Sequence, residues 1–446
     1  MKSLKELFLL LSLAFLVRIP WLVMVPQVEA PDESTHFWVI QFIVQHLCLP
    51  DYQSVINGGA QAVYASLPQF GYLPHVLLLK CLGGFVLPEH ALYLARLGSL
   101  CMGLIVVGVA YFIGRLLFLP NHIAALALPL MIIFHPQFVF VGCYVNNDAT
   151  TAALAALILI FLIVAIKKGL NFSLVCFLSL CFSLLILAKY SGYCVLLTSA
   201  VFIPIIIYLH RKRLKGQLAL AASMGLITLF LTLWWFVRNY FQFAGDITGV
   251  KTMNDIWQLT YHKHLIAFDS PLAPLVNTRF WRMLFFSFWG WFGYMTRSLP
   301  RVLYYGYLSF IIVSAAQFIS NIIDKQQKGK LNLLPHLKTL LTLDLDFPVS
   351  AAGSGIVWIR SWTWLLLITC FVLNFISCMY GCYSGVAGPQ GRYLFPSEIA
   401  IMALLLGGLA SKRDKWSEYS IMALVAFNFV VYCYSTYYLS DIYRHF

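Results

Sequence analysis

Charge is what this chain lacks. Only 11% of its 446 residues are Asp, Glu, Lys or Arg, against about 25% in an ordinary soluble domain. The eleven cysteines contain no CxxC pair with a distant partner, which leaves no zinc site to read. Most sit inside apolar spans, as Cys101, Cys176, Cys181 and Cys370 do, and count as small core hydrophobes. Cys378 and Cys382 are the one pair spaced to meet on a helix, a candidate disulfide. There is no internal repeat, no low-complexity linker and no polar stretch long enough for a separate soluble domain. The short alternating segments of a β-barrel are missing too. What is present is 61% hydrophobic residues and a mean hydropathy of +0.81. The apolar runs match the roughly 20 residues that a helix needs to cross a bilayer. The expectation is an all-α polytopic membrane protein of one domain, residues 1–446.

The net charge of +13 does not point to nucleic acid, because the basic residues fall in short clusters between apolar spans, the pattern of cytoplasmic loops. Lys2 and Lys5 set the N-terminus inside. The stretch to Pro26 is too long for a signal peptide and lacks a small-residue cleavage site, so it reads as a retained first helix. About eleven spans follow by the same period: 4–26, 91–118, 121–142, 149–166, 171–188, 191–209, 217–237, 301–322, 358–379, 395–410 and 418–438. This threading puts Lys167-Lys168, residues 210–215, residues 324–330 and residues 412–415 on the inner side. It leaves a first outer loop, 27–90, with amphipathic stretches near 32–48 and 68–83 that suit an interface. A second outer loop, 238–300, ends in an aromatic stretch from Phe280 to Tyr294 that reads as an interfacial or re-entrant helix. Segment 331–357 has no legible pattern.

The same threading gathers the unusual polar residues at the outer level. Asp32, Glu33 and His36 follow the first helix. Asn147 and Asp148 open the fourth, after Asn146. Lys189 and Tyr190 join the fifth and sixth. Arg238 and Asn239 end the seventh, with Asp246 just beyond, and Gln390, Arg392 and Tyr393 precede the tenth. Each has a structural reading as well: Pro31-Asp32-Glu33 and Asn147-Asp148 as helix starts, Lys189 and Arg238 as snorkelling cations, Arg392 as the partner of an acid such as Glu398. Together they suit an anionic substrate at a membrane surface. A carboxylate can act as general base on a hydroxyl or amine, while Lys and Arg hold a phosphate as it leaves. Asp32 and Asp148 could instead share a divalent cation, Mg or Mn. Trp289, in Phe288-Trp289-Gly290-Trp291, could stack on a sugar or serve an aromatic belt.

The ordered set Pro-Asp-Glu-x-x-His, Asn-Asn-Asp-Ala, Leu-Ala-Lys-Tyr, Trp-Trp-x-x-Arg-Asn, Phe-Trp-Gly-x-Phe-Gly and Gln-Gly-Arg-Tyr-x-x-Pro, spread over roughly residues 1–400, resembles a bacterial family of polytopic membrane proteins. That family is placed near the GT-C superfamily of membrane glycosyltransferases. The resemblance implies a GT-C-like bundle in the bacterial inner membrane. It implies transfer of a sugar from a polyprenyl-phosphate donor to a glycan, lipid or protein acceptor on the outer side, with inversion. Under it, Asp32 is the general base, with Glu33 its alternate and His36 orienting it. Asp148 assists, and Lys189, Arg238 and Arg392 contact phosphate. The sequence shows no counterpart of the large soluble C-terminal domain found in several GT-C members, and around Gln69, Tyr72, Pro74 and His75 it follows only loosely the Pro-rich loop typical of relatives. The rival reading is a transporter or flippase for a lipid-linked sugar, whose polar groups belong near the midplane, on broken helices. A non-catalytic scaffold leaves the polar clustering without a role.

Overall fold

The structure is a computed structural model, and it describes residues 2–261, 268–327, 354–384, 388–412 and 414–444. The expected inner cluster at Lys328 and Lys330, most of segment 331–357, and Arg413 lie outside the described residues. The fold is all-α and polytopic. Its helices are α1 (Lys2–Met24), α2 (Glu33–His46), α3 (Tyr52–Gly58), α4 (Leu73–Leu82), α5 (Ala91–Phe118), α6 (His122–Ile133), α7 (Pro136–Val141), α8 (Asp148–Lys168), α9 (Phe172–Ile186), α10 (Tyr193–Leu209), α11 (Leu214–Gln242), α12 (Val250–Tyr261), α13 (Ala273–Val276), α14 (Thr278–Gly290), α15 (Arg301–Gln327), α16 (Ser354–Tyr383), α17 (Glu398–Leu409) and α18 (Lys415–Tyr443). A small antiparallel hairpin, Trp291–Phe292 with Arg297–Ser298, follows α14.

Among the described residues nine helices are long and apolar enough to cross a membrane, two fewer than the eleven expected. The other two are short apolar helices: α6 at His122–Ile133 and α9 at Phe172–Ile186. The third span is cut because Pro136 opens α7 at its first turn, and a proline there removes an N–H and disfavours helix in the residue before it. His135 sits at the break. Its Nδ1 is 2.7 Å from Glu398 Oε1, and its Nε2 2.7 Å from the Phe288 carbonyl. One imidazole therefore ties the break to α17 and α14. Cys378 and Cys382 are free thiols, as are the other nine.

The amphipathic stretches of the first outer loop become α2 and α4, within a second apolar cluster that includes Phe37, Val39, Ile40, Val55, Val63, Tyr72 and Leu79. This cap sits on the main core through α4, which packs on α5. Helix α5 packs on α1, α6 and α8 as well, so it joins cap and bundle. The chain between α3 and α4 is pinned to the bundle by Phe70 N–H donating to the Leu187 carbonyl at 2.8 Å. Glycine is required at 71, where a Cβ would stand 2.7 Å from Asn147 Cβ and 3.2 Å from the Ala188 carbonyl. That close approach brings the chain before α4 onto the Asn147-Asp148 and Lys189 hinges.

Candidate functional site

Asp32 precedes α2 in a left-handed conformation, φ 61°, and its carboxylate makes no capping bond to the helix. Such a φ is strained for a residue with a side chain. The backbone is held there by Thr35 Oγ1 donating to the Asp32 carbonyl at 2.6 Å and by Asp32 N–H donating to the Tyr294 hydroxyl at 3.1 Å. The carboxylate is thus free to face Arg392, whose Nη2 is 3.4 Å from Asp32 Oδ2. Arg392 is delivered by the 3-10 turn Gly391–Ser397. Gly391 N–H donates to Ser287 Oγ at 2.8 Å, and a Cβ at 391 would lie 2.2 Å from Phe288 N. Only glycine lets this turn lie against α14.

Asp148 opens α8. The capping of that helix falls to Asn146, whose Oδ1 accepts from Ala149 N–H at 3.0 Å, while Asn147 makes no capping bond. The Asp148 carboxylate accepts from Lys189 Nζ at 2.7 Å through Oδ1. Among the described residues, Asp148 Oδ2, Asn147 Oδ1 and Arg392 Nε are buried with no hydrogen-bond partner. Buried polar atoms are nearly always bonded, and these three lie around one pair of acids and one pair of bases. Lys189 Nζ and the Arg392 guanidinium each lie 5.6 Å from the Tyr393 ring centroid, on which both cations can rest.

His36 faces the same group. Its Nδ1 is 2.6 Å from the Tyr72 hydroxyl, and its ring stacks on Tyr64 at 5.0 Å. Burial pushes the imidazole down to about 3, against Asp32 and with Lys189. His36 is therefore a neutral wall held by two tyrosines, hydrogen-bonded to Tyr72 and stacked on Tyr64. Burial lowers the Lys189 ammonium, and Asp148 opposes that loss.

Glu33 turns away from this group. Its side chain is 0% exposed and carries a two-point bond to Arg96, from Nε at 2.8 Å and from Nη2 at 2.5 Å. Arg238 donates to the carbonyls of Leu49, at 3.2 Å, and Pro50, and to Asn239 Oδ1 at 3.1 Å. Asn239 itself holds the Ser66 carbonyl at 3.2 Å. Asp246 accepts from Gly249 N–H at 2.9 Å and from Thr252 N–H at 2.7 Å, and the Tyr190 hydroxyl donates to the Thr248 carbonyl. These four fasten the loops around residues 49–66 and 246–252. Trp289 is buried and stacks on Tyr307 at 3.8 Å. Gln390 lines a narrow cleft beside Arg392, with Gln137, Tyr144 and Trp291.

The structure thus brings Asp32, His36, Asp148, Lys189, Arg392 and Tyr393 together, and sets Glu33, Tyr190, Arg238, Asn239, Asp246 and Trp289 in other contacts. Sequence reasoning missed Tyr64, Tyr144 and Arg96. Tyrosine is common at membrane interfaces and carries no motif of its own. Arg96, inside an apolar helix, was the available signal.

Among the described residues no group of three or more His, Cys, Asp or Glu side chains could hold a metal ion. Asp32 and Asp148, the acids the sequence offers to a divalent cation, each face a basic side chain.

No family model matches the chain, and no curated protein does. Among solved structures it is similar to ArnT from Cupriavidus metallidurans in the apo state, with 13% identity over 94% of this chain and 78% of that one and a TM-score of 0.41. The same protein bound to undecaprenyl phosphate matches with 16% identity over 91% and 78% of the two chains and a TM-score of 0.42.

Proposed function

We propose that the protein is a membrane glycosyltransferase that moves a sugar from a polyprenyl-phosphate donor to an extracytoplasmic acceptor, with inversion. The observation that carries this reading is the opposed pair of ion contacts, Asp32 with Arg392 and Asp148 with Lys189, around buried orphan atoms. Two cations at the end of a lipid-facing bundle suit the phosphate of a membrane-held donor. The Asp32–Arg392 contact is the looser of the two, so a phosphate entering on Arg392 Nε and Nη2 releases the Asp32 carboxylate. Asp32 then takes the proton of an acceptor hydroxyl as its oxygen attacks the anomeric carbon from the face opposite the phosphate. The bond from that carbon to the phosphate oxygen breaks, and its electron pair leaves with the phosphate. Lys189 and Arg392 stabilise the charge that grows there. Asp148 keeps Lys189 charged and in place. Neutral His36, on Tyr64 and Tyr72, shields the base from water.

The experiment uses the full chain in nanodiscs, with the labelled sugar of a polyprenyl monophosphate as probe and bacterial envelope lipids and glycans as acceptors. Covalent transfer by the wild type, lost in Asp32→Ala and in Asp148→Ala, supports the reading. Movement of a fluorescent lipid-linked sugar across liposomes without transfer would overturn it in favour of a flippase.

A further inference from the structure

Glu33 and Arg96 carry a buried ion pair that the proposed chemistry does not use. Removing two charges from water is costly, and such a pair adds little stability over an apolar replacement. Its contacts are unusual in what they join. Arg96, on α5, binds both oxygens of Glu33. Its Nη1 also donates to the carbonyls of Leu22 at 2.7 Å and Val25 at 2.8 Å, at the end of α1. Glu33 Oε1 accepts in addition from Val145 N–H at 2.7 Å. Glu33 adjoins Asp32, and Val145 lies three residues before Asp148.

The neighbouring backbone groups are gripped in the same way. Ser99 Oγ, one turn beyond Arg96 on α5, donates to the Tyr144 carbonyl at 2.7 Å. His75 of α4 lies between the Ala95 carbonyl, 2.8 Å from its Nδ1, and the Asn146 carbonyl, 3.1 Å from its Nε2. Tyr144, Val145 and Asn146 are therefore held one after another by Ser99, Glu33 and His75. All three grips refer back to a single turn of α5, Ala95 to Ser99, and all these side chains are buried.

We infer that the Glu33–Arg96 pair is a positioning device that sets the separation of Asp32 from Asp148, with Glu33 serving as a strut and Asp32 alone as the base. The catalytic consequence rests on the glycosyl-transfer reading. Glu33 links both hinges: it is covalently next to one acid and hydrogen-bonded to the segment that carries the other. The carboxylate must be ionised and bidentate to do this, so shortening or neutralising it shifts one acid relative to the other while both remain present.

The test compares wild type, Glu33→Asp and Glu33→Gln as full chains in nanodiscs, by cryo-EM and by transfer from a labelled polyprenyl-monophosphate hexose. Glu33→Gln keeps an acceptor for Val145, Glu33→Asp keeps the charge, and both are compared with wild type per folded molecule. The expected result is a change of about 1 Å or more between the Asp32 and Asp148 carboxylates. With it, kcat per folded molecule falls at least tenfold while the donor KM stays within twofold, the signature of a misplaced base. An unchanged separation, or a loss of rate that only tracks the folded fraction, overturns the inference. If the wild type transfers no sugar, the glycosyl-transfer reading fails, and the carboxylate separation still decides whether Glu33 is a strut.

Discussion

Lys189 Nζ lies 2.7 Å from Asp148 Oδ1, and Asp148 Oδ2, buried beside it, has no hydrogen-bond partner among the described residues. Lys189 side-chain exposure is 20% and that of Asp148 3%.

Breaking that pair from one side should show its burial. Lys189→Met leaves Asp148 charged and unpaired, at a cost of about 3 kcal/mol, read as a lower melting temperature in detergent. Adding Asp148→Asn to the same chain recovers most of that stability without recovering transfer. A double mutant as unstable as the single one contradicts the pairing.

Asp32→Asn should behave in the opposite way. The carboxylate makes one loose contact, to Arg392 at 3.4 Å, and caps no helix. Its loss leaves the melting temperature within a few degrees and lowers kcat by about 10²–10⁴, the usual worth of a general base. Equal activity of this variant and wild type, measured as sugar transferred per folded molecule, removes Asp32 from its role.

His36 predicts a pH dependence of stability. Its imidazole is held down to about 3 by burial, below the ordinary value near 6.5. Between these values the unfolded chain binds a proton that the folded chain refuses, so stability is complete above about pH 6.5 and falls as pH falls toward 3. From pH 6.5 to 5 the loss is about 2 kcal/mol. Melting curves over that range, wild type against His36→Gln, check it: the variant has the shallower slope.

Gly391→Ala places a Cβ against the α14 backbone, 2.2 Å from Phe288 N. Overpacking of this kind costs about 1–3 kcal/mol. It also displaces the adjacent Arg392, so the donor KM rises as the melting temperature falls. A stable variant with an unchanged KM shows that Arg392 does not depend on this close approach.

Arg238→Gln separates anchoring from phosphate binding. Its guanidinium donates to the carbonyls at Leu49 and Pro50, so the variant loses stability while the donor KM stays within twofold. A tenfold rise in KM assigns Arg238 to the phosphate instead.

The membrane class and the helical fold were legible because they depend on composition and run length. Helices α5, α15 and α18 lie close to the apolar runs read from the chain. The broken third span was less legible: hydropathy averages over the window in which Pro136 and His135 interrupt the helix. Among the candidate residues, those that come together lie at hinges where an outer-loop residue approaches a helix start, as Gly71 does at Asn147. Of those that do not, Asp246 satisfies neighbours a few residues away at Gly249 and Thr252, while Glu33, Arg238 and Asn239 hold Arg96, Leu49 and Ser66 far along the chain, and a polar residue looks the same in a sequence whether it fastens a loop or faces a ligand.

The sequence by itself determined that the chain is an apolar helical bundle with acids and bases at its hinges, since burial in lipid demands helices and makes each charge conspicuous. Only the tertiary structure decided between adjacent carboxylates. Asp32 and Glu33 are chemically near-equivalent neighbours. The left-handed turn at Asp32 sends one toward Arg392, and the first turn of α2 sends the other into the fork of Arg96, 63 residues away in the chain. That choice depends on which cation the fold brings to each side, a long-range contact that no local pattern encodes.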